Sequence, residues 1–274
     1  MAKQEEAAVD FGAVTAVMQQ VWSKGDFAYV APLVQGVSDH LVEAADVLPN
    51  DRVLDVACGS GNAAIAAARH FADVTGADFV PALLEHARQR AAAELLDVEF
   101  VQADAQELPF EDGTFDVTLS SFGAMFAPSQ ERTAAELLRV TRSGGKVAMA
   151  NWTPDSAVGD LFRVTAQHAP PPAGLTTPLA WGTEERLREL FGDGISDLRL
   201  ETRTSVQRFR SPDHYLTFFR SYFGPTIAAF ERVGPEGEDA LAADLVAFVD
   251  RYNRAGDRAV VLESDYMEVV ATRA

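Results

Sequence analysis

Three aspartates, Asp55, Asp78 and Asp104, stand at or near the ends of three short β-rich runs, and a bend rich in glycine follows the first of them in the segment Val53-Leu-Asp-Val-Ala-Cys-Gly-Ser-Gly-Asn-Ala-Ala64. Glycine at such a bend permits positive φ and lets the backbone come close to a ligand. A helix beginning there offers unpaired N–H groups that favour an anionic end such as a carboxylate. The spacing Gly59-x-Gly61-x-x-Ala64 also satisfies the loose dinucleotide fingerprint, so an NAD(P)-dependent oxidoreductase is one reading. Asp55 points elsewhere. An ionised side chain inside a buried strand is costly unless it meets backbone donors or a cation. A pyrophosphate would make that carboxylate a liability, whereas an ammonium and a sulfonium would welcome it. Asp78, closing the second run, is placed to accept from a ribose diol, and Asp104 from an adenine amino group. Three carboxylates over one sheet edge suit a cationic nucleoside better than a dianionic one.

The elements that must position these groups follow from the patterning. Val14, Val17, Met18 and Val21 recur at helical spacing up to Lys24-Gly25-Asp26, and a second helix fits Leu33 to Leu48, stopped by Pro49-Asn50. Strands are then expected at Val53–Val56, Val74–Ala77, Val98–Val101, Phe115–Ser120 and Lys146–Ala150. Helices are expected between them at Asn62–His70, Pro81–Leu95 and Gln130–Thr141. Pro81 suits a first helical turn, and Ser143-Gly144-Gly145 a helix stop feeding a strand. Such alternation means an α/β fold with a parallel, doubly wound sheet. Past Ala150 the pattern is less regular. A proline-rich loop spans Ala169 to Gly174, a helix fits Thr183–Phe191, and Leu198–Phe209 resembles a strand. An aromatic helix, His214–Phe223, ends at Gly224-Pro225, an amphipathic run covers Asp239–Arg251, and Ala259–Thr272 reads as β. The aromatic stretch is either a lid over the site or an ordinary packed helix pair.

The run from Arg52 to Trp152 resembles a class I S-adenosylmethionine-dependent methyltransferase of the UbiE-like type (methyltransferase type 11). Val53-Leu-Asp-Val-Ala-Cys-Gly-Ser-Gly61 is similar to the family's first motif, and Thr75-Gly-Ala-Asp-Phe-Val-Pro-Ala-Leu-Leu-Glu-His-Ala-Arg88 to its second. Val101-Gln-Ala-Asp-Ala-Gln-Glu-Leu-Pro-Phe110 and Phe115-Asp-Val-Thr-Leu-Ser-Ser-Phe122 resemble the third and fourth, and Arg139-Val-Thr-Arg-Ser-Gly-Gly-Lys-Val147 the turn before the fifth strand. The likeness covers a little over a third of the chain, with the motifs in order. Relatives often carry Thr where this chain has Asn62. The resemblance implies a Rossmann-like methyltransferase fold: a seven-stranded mixed sheet ending in an antiparallel hairpin, Leu198–Phe209 with Val260–Thr272. It also implies Asp78 as ribose ligand with Phe79 beside the adenine, Asp104 and Ala105 bordering the adenine, and Ser121-Phe122 near the methionine part. The expected cofactor-binding set is therefore Asp55, Gly59, Gly61, Asp78, Phe79, Asp104, Ala105 and Ser121. The cofactor is S-adenosyl-L-methionine, leaving as S-adenosyl-L-homocysteine, and the reaction is methyl transfer by in-line displacement.

The rest of the chain bounds the acceptor. There are 23 Lys and Arg against 41 Asp and Glu, a net charge of −18, and that field argues against nucleic acid or an anionic membrane surface as partner. The single cysteine, Cys58, excludes an internal disulfide and suits a reducing cytoplasm. Met1-Ala-Lys-Gln-Glu-Glu6 has no secretory pattern, and no apolar run reaches the roughly 18 residues of a membrane helix. Leu119-Ser-Ser-Phe122 lacks the acidic ligand of metal-assisted catechol methylation, so no metal is expected. His40, His70 and His86 read as helix-surface or capping residues, while His168 and His214 are candidate catalytic groups. Aromatics near strand ends and in the C-terminal half suggest a lipophilic acceptor pocket. Phe126, Trp152, Tyr29, Trp181 and Tyr222 are the substrate-binding candidates, with Trp22, Phe27, Tyr215, Phe218, Phe219 and Phe223 in the same ring or in the core. The expected organisation is an N-terminal helical segment (1–50), a cofactor-binding core (51–153), and a helical cap with the final strands (154–274). The expected activity is methylation of a small, lipophilic or aromatic metabolite, oxygen ahead of nitrogen or carbon. A non-catalytic S-adenosylmethionine-binding domain is the third reading.

Overall fold

The computed structural model describes residues 9–172 and 174–274; the expected leader-free start, Met1–Glu6, lies outside them. The seven strands β1 (Arg52–Val56), β2 (Asp73–Asp78), β3 (Glu99–Gln102), β4 (Phe115–Ser121), β5 (Thr141–Trp152), β6 (Ile195–Phe209) and β7 (Val260–Arg273) form one sheet in the order β3-β2-β1-β4-β5-β7-β6. The first five pair in parallel, and β7 runs antiparallel between β5 and β6. Strand order reverses between β1 and β4, which opens a crevice at their C-terminal ends where open α/β sheets bind ligands.

The helices are α1 (Phe11–Trp22), α2 (Gln35–Ala45), α3 (Asn62–Ala68), α4 (Pro81–Ala93), α5 (Gln130–Val140), α6 (Ala157–His168), α7 (Glu184–Phe191), α8 (Pro212–Tyr222) and α9 (Gly224–Tyr252). Every residue of α3 is buried, because the helix is wedged between the sheet and its neighbours α2 and α4. The second helix stops earlier than Pro49 suggested. Asp46 takes a left-handed conformation (φ +53°) and closes α2 at Ala45. The amphipathic run expected at 239–251 is the latter part of α9, which starts at Gly224 and kinks at Gly234 (φ +64°) before Pro235. Helix α6 was not foreseen. Ser156 caps it by accepting from the Gly159 N–H, and its apolar side chains face the crevice.

Two apolar cores result. One, centred on Leu54, Ile65, Leu119, Leu137 and Met149, joins the sheet to its covering helices. The other joins Phe209, Tyr215, Phe219, Leu241, Phe248 and Leu262 beneath α6, α8 and α9. The crevice runs along the seam between them, since residues of both line it. No helix among the described residues is long and apolar enough to cross a membrane.

Candidate functional site

The site begins at the loop after β1. Gly61 caps α3 with φ +84°, and a Cβ there would lie 3.2 Å from the Ala87 side chain and 3.4 Å from the Phe100 ring, so only glycine fits both demands. The loop is fastened from two sides. Asp78 accepts from the Gly59 N–H through Oδ2 and from the Val80 N–H through Oδ1, each at 2.8 Å, while Asp55 Oδ2 accepts from the Ala64 N–H at 2.8 Å. From below, the Arg90 guanidinium on α4 donates to the Ser60 carbonyl (2.6 Å), Asn62 Oδ1 (2.7 Å) and Gln35 Oε1 (2.9 Å). Asn62 is thereby a clamp point, and its Nδ2 donates to the Ala31 carbonyl at 2.8 Å.

Burial dominates the electrostatics. It pushes the Asp55 carboxyl up to about 7, aided by the nearby Asp78 and opposed by the Ala64 N–H. It pushes Asp78 up to about 6 against the N–H groups of Val80, Gly59 and Phe79. Burial and the two aspartates together raise the Cys58 thiol well above its ordinary range, so it stays neutral. Neither aspartate has a basic side chain in salt-bridge contact among the described residues. Two desolvated carboxyls beside a bare-backbone loop fit a ligand that brings its own positive charge.

Farther along the sheet edge, Asp104 accepts from the backbone N–H of Gln106 (2.9 Å) and from its side-chain amide (3.0 Å). That amide also donates to Thr15 Oγ1 at 2.8 Å, and the Gln19 amide donates to the Phe79 carbonyl, so α1 is tied across the ends of β2 and β3. At the β4 end, Ser121 Oγ accepts from Ser38 Oγ at 2.9 Å. Two non-glycine residues of the crevice hold left-handed backbones, Ala57 (φ +53°) and Phe122 (φ +60°). Their loops touch: a Cβ on Gly123 would sit 2.1 Å from the Ala57 carbonyl oxygen. Backbone strain of this kind costs about 1–3 kcal/mol per residue and gathers where ligands are handled.

The crevice widens into a cavity of about 180 Å³, many times the space one water needs. Asp55, Gly59, Asp78, Phe79, Asp104, Ala105 and Ser121 all line it, and Gly61 stands just behind as the cap of α3. Its far wall is aromatic. The Trp22 ring meets Phe126 edge-on at 5.0 Å and Phe223 at 5.6 Å, and Phe122 stacks on Trp152 at 3.9 Å. Of the substrate candidates, Phe126 and Trp152 line the cavity. Tyr29, Tyr222 and Trp181 do not. Tyr29 is 55% exposed and stacks on Tyr222 at the outside, and Trp181 is wholly buried against Phe191 in the sheet's own core.

Both candidate catalytic histidines are placed elsewhere. His168 Nε2 is paired with Asp244 at 2.7 Å, and His214 Nδ1 accepts from the Arg210 N–H at 3.2 Å. From the aromatic helix, Tyr215 and Phe219 face the cavity while Phe218 packs on Phe209 and Tyr222. Sequence reasoning missed Val158, Leu161 and Phe162 of α6, together with Gln207, Phe248, Leu262 and Ser264. The α6 residues carried a signal, Ser156 as cap followed by apolar residues at helical spacing. The others did not. Among the described residues no group of three or more His, Cys, Asp or Glu could hold a metal ion.

A doubly wound sheet with a final antiparallel hairpin, and a glycine bend answered by aspartates at the next two strand ends, define the class I methyltransferase architecture. Residues 53–145 match the methyltransferase-domain family. The chain is 40% identical over 239 residues to the uncharacterized protein Rv1403c of Mycobacterium tuberculosis, covering 85% of this chain and 87% of that one. It is 36% identical over 181 residues to the demethylmenaquinone methyltransferase of Deinococcus radiodurans, 64% of this chain and 75% of the relative. The solved YcgJ protein of Bacillus subtilis shares the fold, with a TM-score of 0.61 at 16% identity over 87% of this chain and 98% of that one. The chain belongs to the S-adenosylmethionine-dependent methyltransferases of the UbiE-like type and is an enzyme of that class. The oxidoreductase reading of the glycine spacing is thereby set aside.

Proposed function

We propose that the protein methylates a small, neutral, lipophilic acceptor, aromatic in character, with oxygen ahead of nitrogen or carbon as the attacking atom. The observation that carries this reading is the distribution of charge in the cavity. Among the described residues, the charged side chains lining it, Asp55, Asp78 and Asp104, belong to the sheet edge, and none comes from α1, α6, α8, α9 or the β6–β7 hairpin. A protonated amine acceptor would ask for a carboxylate in the cap half, and an anionic one for a lysine or arginine.

In this reading Asp78 receives the ribose hydroxyls, Phe79, Asp104 and Ala105 border the adenine, and Asp55, Gly59, Gly61 and Ser121 surround the methionine part. The bound cofactor supplies a methyl group on a sulfonium, and its displacement by the acceptor leaves S-adenosylhomocysteine. Asp55 and Asp78 balance the cofactor's positive charge and keep the glycine loop in register. Trp152, Phe122 and Phe126 exclude water and fix the acceptor's ring, so that positioning supplies most of the rate. Among the described residues no histidine lines the cavity, so the attacking hydroxyl releases its proton to water rather than to a positioned imidazole. Residues 51–153 hold the cofactor, and the described parts of the flanking segments, 9–50 with 154–172 and 174–274, close over it, in the cytoplasm to which one buried thiol is suited.

Incubation of the enzyme with methyl-labelled S-adenosylmethionine and a cell extract tests the proposal. Label is expected in the neutral, organic-soluble fraction. Label found only in macromolecules or in charged, water-soluble products would overturn it.

A further inference from the structure

Among the described residues, the cap end of the cavity is apolar except for Tyr215, Gln207 and Ser264. Tyr215 on α8 is 3% exposed and lines the chamber, packed against Phe209 at 5.0 Å and Phe219 at 4.6 Å, yet its phenol hydroxyl has no hydrogen-bond partner among the described residues. Gln207 on β6 lines the same chamber with its amide likewise unpaired. The third polar group there, Ser264, is engaged, since its Oγ accepts from the Val158 N–H at 3.0 Å. The Tyr215 hydroxyl is not sealed in the core but opens on the chamber, so a ligand seated there can supply the partner that the protein does not. Burial also holds the Tyr215 phenol well above its ordinary range, so it is a neutral donor and not a base.

β6 lies four strand positions from β1, roughly 19 Å across the sheet at about 4.8 Å per strand. Gln207 thus belongs to the end of the cavity away from the aspartates. We infer that Tyr215, together with Gln207 of the same chamber, is a specificity site that hydrogen-bonds a neutral oxygen function, hydroxyl or carbonyl, at the end of the acceptor remote from its methyl-accepting atom. The inference rests on the reading of this cavity as the acceptor chamber and deepens it: the acceptor is an apolar body with a polar group at its far end. A fully saturated or aromatic hydrocarbon tail at that end would leave both groups unpaired and is selected against.

The test compares 2-naphthol with naphthalene, two neutral bicycles that differ by one hydroxyl, as ligands of the full-length enzyme with and without saturating S-adenosylhomocysteine. The wild-type protein should prefer 2-naphthol about fivefold, the yield of one added hydrogen bond in an apolar site. Tyr215→Phe should bring that preference to within about twofold while leaving naphthalene and S-adenosylhomocysteine affinities unchanged, and Gln207→Leu should weaken it partially. Absence of the preference in the wild-type protein, its survival in Tyr215→Phe, or binding of neither probe would overturn the inference. Failure of S-adenosylhomocysteine to bind would instead sink the cofactor assignment, and it is read in its own arm. A Tyr215→Phe protein that binds S-adenosylhomocysteine normally is folded, so a changed naphthol preference then reports the hydroxyl alone.

Discussion

The two halves of the cavity are built on opposite principles. At the sheet edge, each recognition group is short, acidic and doubly employed. Asp55 and Asp78 fasten the glycine loop through backbone N–H groups while remaining available to a cation, and Asp104 is engaged with Gln106, which ties down α1. At the cap, the walls are long aromatic and aliphatic side chains from α6, α8, α9 and the β6–β7 hairpin, with polar groups few and neutral. The first half is specified by hydrogen bonds fixed to the backbone of consecutive strands. The second is specified by shape, through side chains brought together from distant parts of the chain. One half can stay constant while the other is repacked for a different acceptor, because a ligand-facing phenylalanine can change without moving a strand.

The comparison is broken most violently at the point where the halves share a wall. Gly123 follows Phe122, and a methyl group there would meet the Ala57 carbonyl at 2.1 Å, a contact that only backbone movement relieves. Gly123→Ala should cost about 3 kcal/mol in urea unfolding and weaken cofactor and acceptor binding together. Stability within about 0.5 kcal/mol of wild type would show that the β1 and β4 loops are not in mutual contact. A cleaner separation comes next. Asp78→Ala should weaken S-adenosylhomocysteine by about 1.5–3 kcal/mol in calorimetry, because it removes the Gly59 fastening and, in the proposed cofactor pose, both ribose acceptors. Asp78→Asn, which keeps one acceptor oxygen, should lose less. Tyr215→Phe, in the other half, should leave that affinity alone. Equal cofactor affinity in Asp78→Ala and wild type would remove Asp78 from the site.

The same contrast explains what could be read in advance. The strands through β5 and the loop after β1 were legible because their residues answer to local rules: alternating apolar runs, glycines where φ must be positive, a proline at the first turn of α4. The aspartates were legible because a carboxylate in a buried strand needs an explanation wherever it stands. The Arg90 clamp was not, since nothing local distinguishes an arginine that turns inward beneath a loop from one on a helix surface. In the cap, only Asp239–Arg251 of α9 was expected, whereas the helix starts at Gly224, kinks at Gly234 and resumes. Trp181, Tyr29 and Tyr222 were misplaced for a different reason. Aromatic type and proximity to a strand end do not say which way a ring faces, and tertiary packing sent Trp181 into the core, Tyr29 to the surface and Tyr222 half-buried against the second core.

The smallest effect bears on whether the sheet-edge carboxyls recognise charge or merely hold the loop. In the free enzyme Asp55 lies up at about 7 and Asp78 at about 6, both above the ordinary value near 4 that an unfolded chain would show. The folded protein therefore keeps protons that the unfolded chain releases between pH 4 and 7. The stability these two groups contribute is complete below pH about 4 and is lost as pH rises through 6 and 7. A ligand carrying positive charge favours the ionised carboxylates, so its binding must expel those protons, and its affinity must rise over the same window. From the two values, S-adenosylmethionine should bind about tenfold more tightly at pH 7.5 than at pH 6.0, with proton release detectable as a buffer-dependent calorimetric enthalpy. The melting temperatures of free and loaded enzyme should correspondingly draw apart as pH increases. An affinity flat across this range, with no proton released and the infrared band of a protonated carboxyl retained on binding, would mean that both carboxyls stay protonated in the complex. They would then serve only as fasteners of the Gly59–Gly61 bend, and recognition of the cation would have to lie elsewhere.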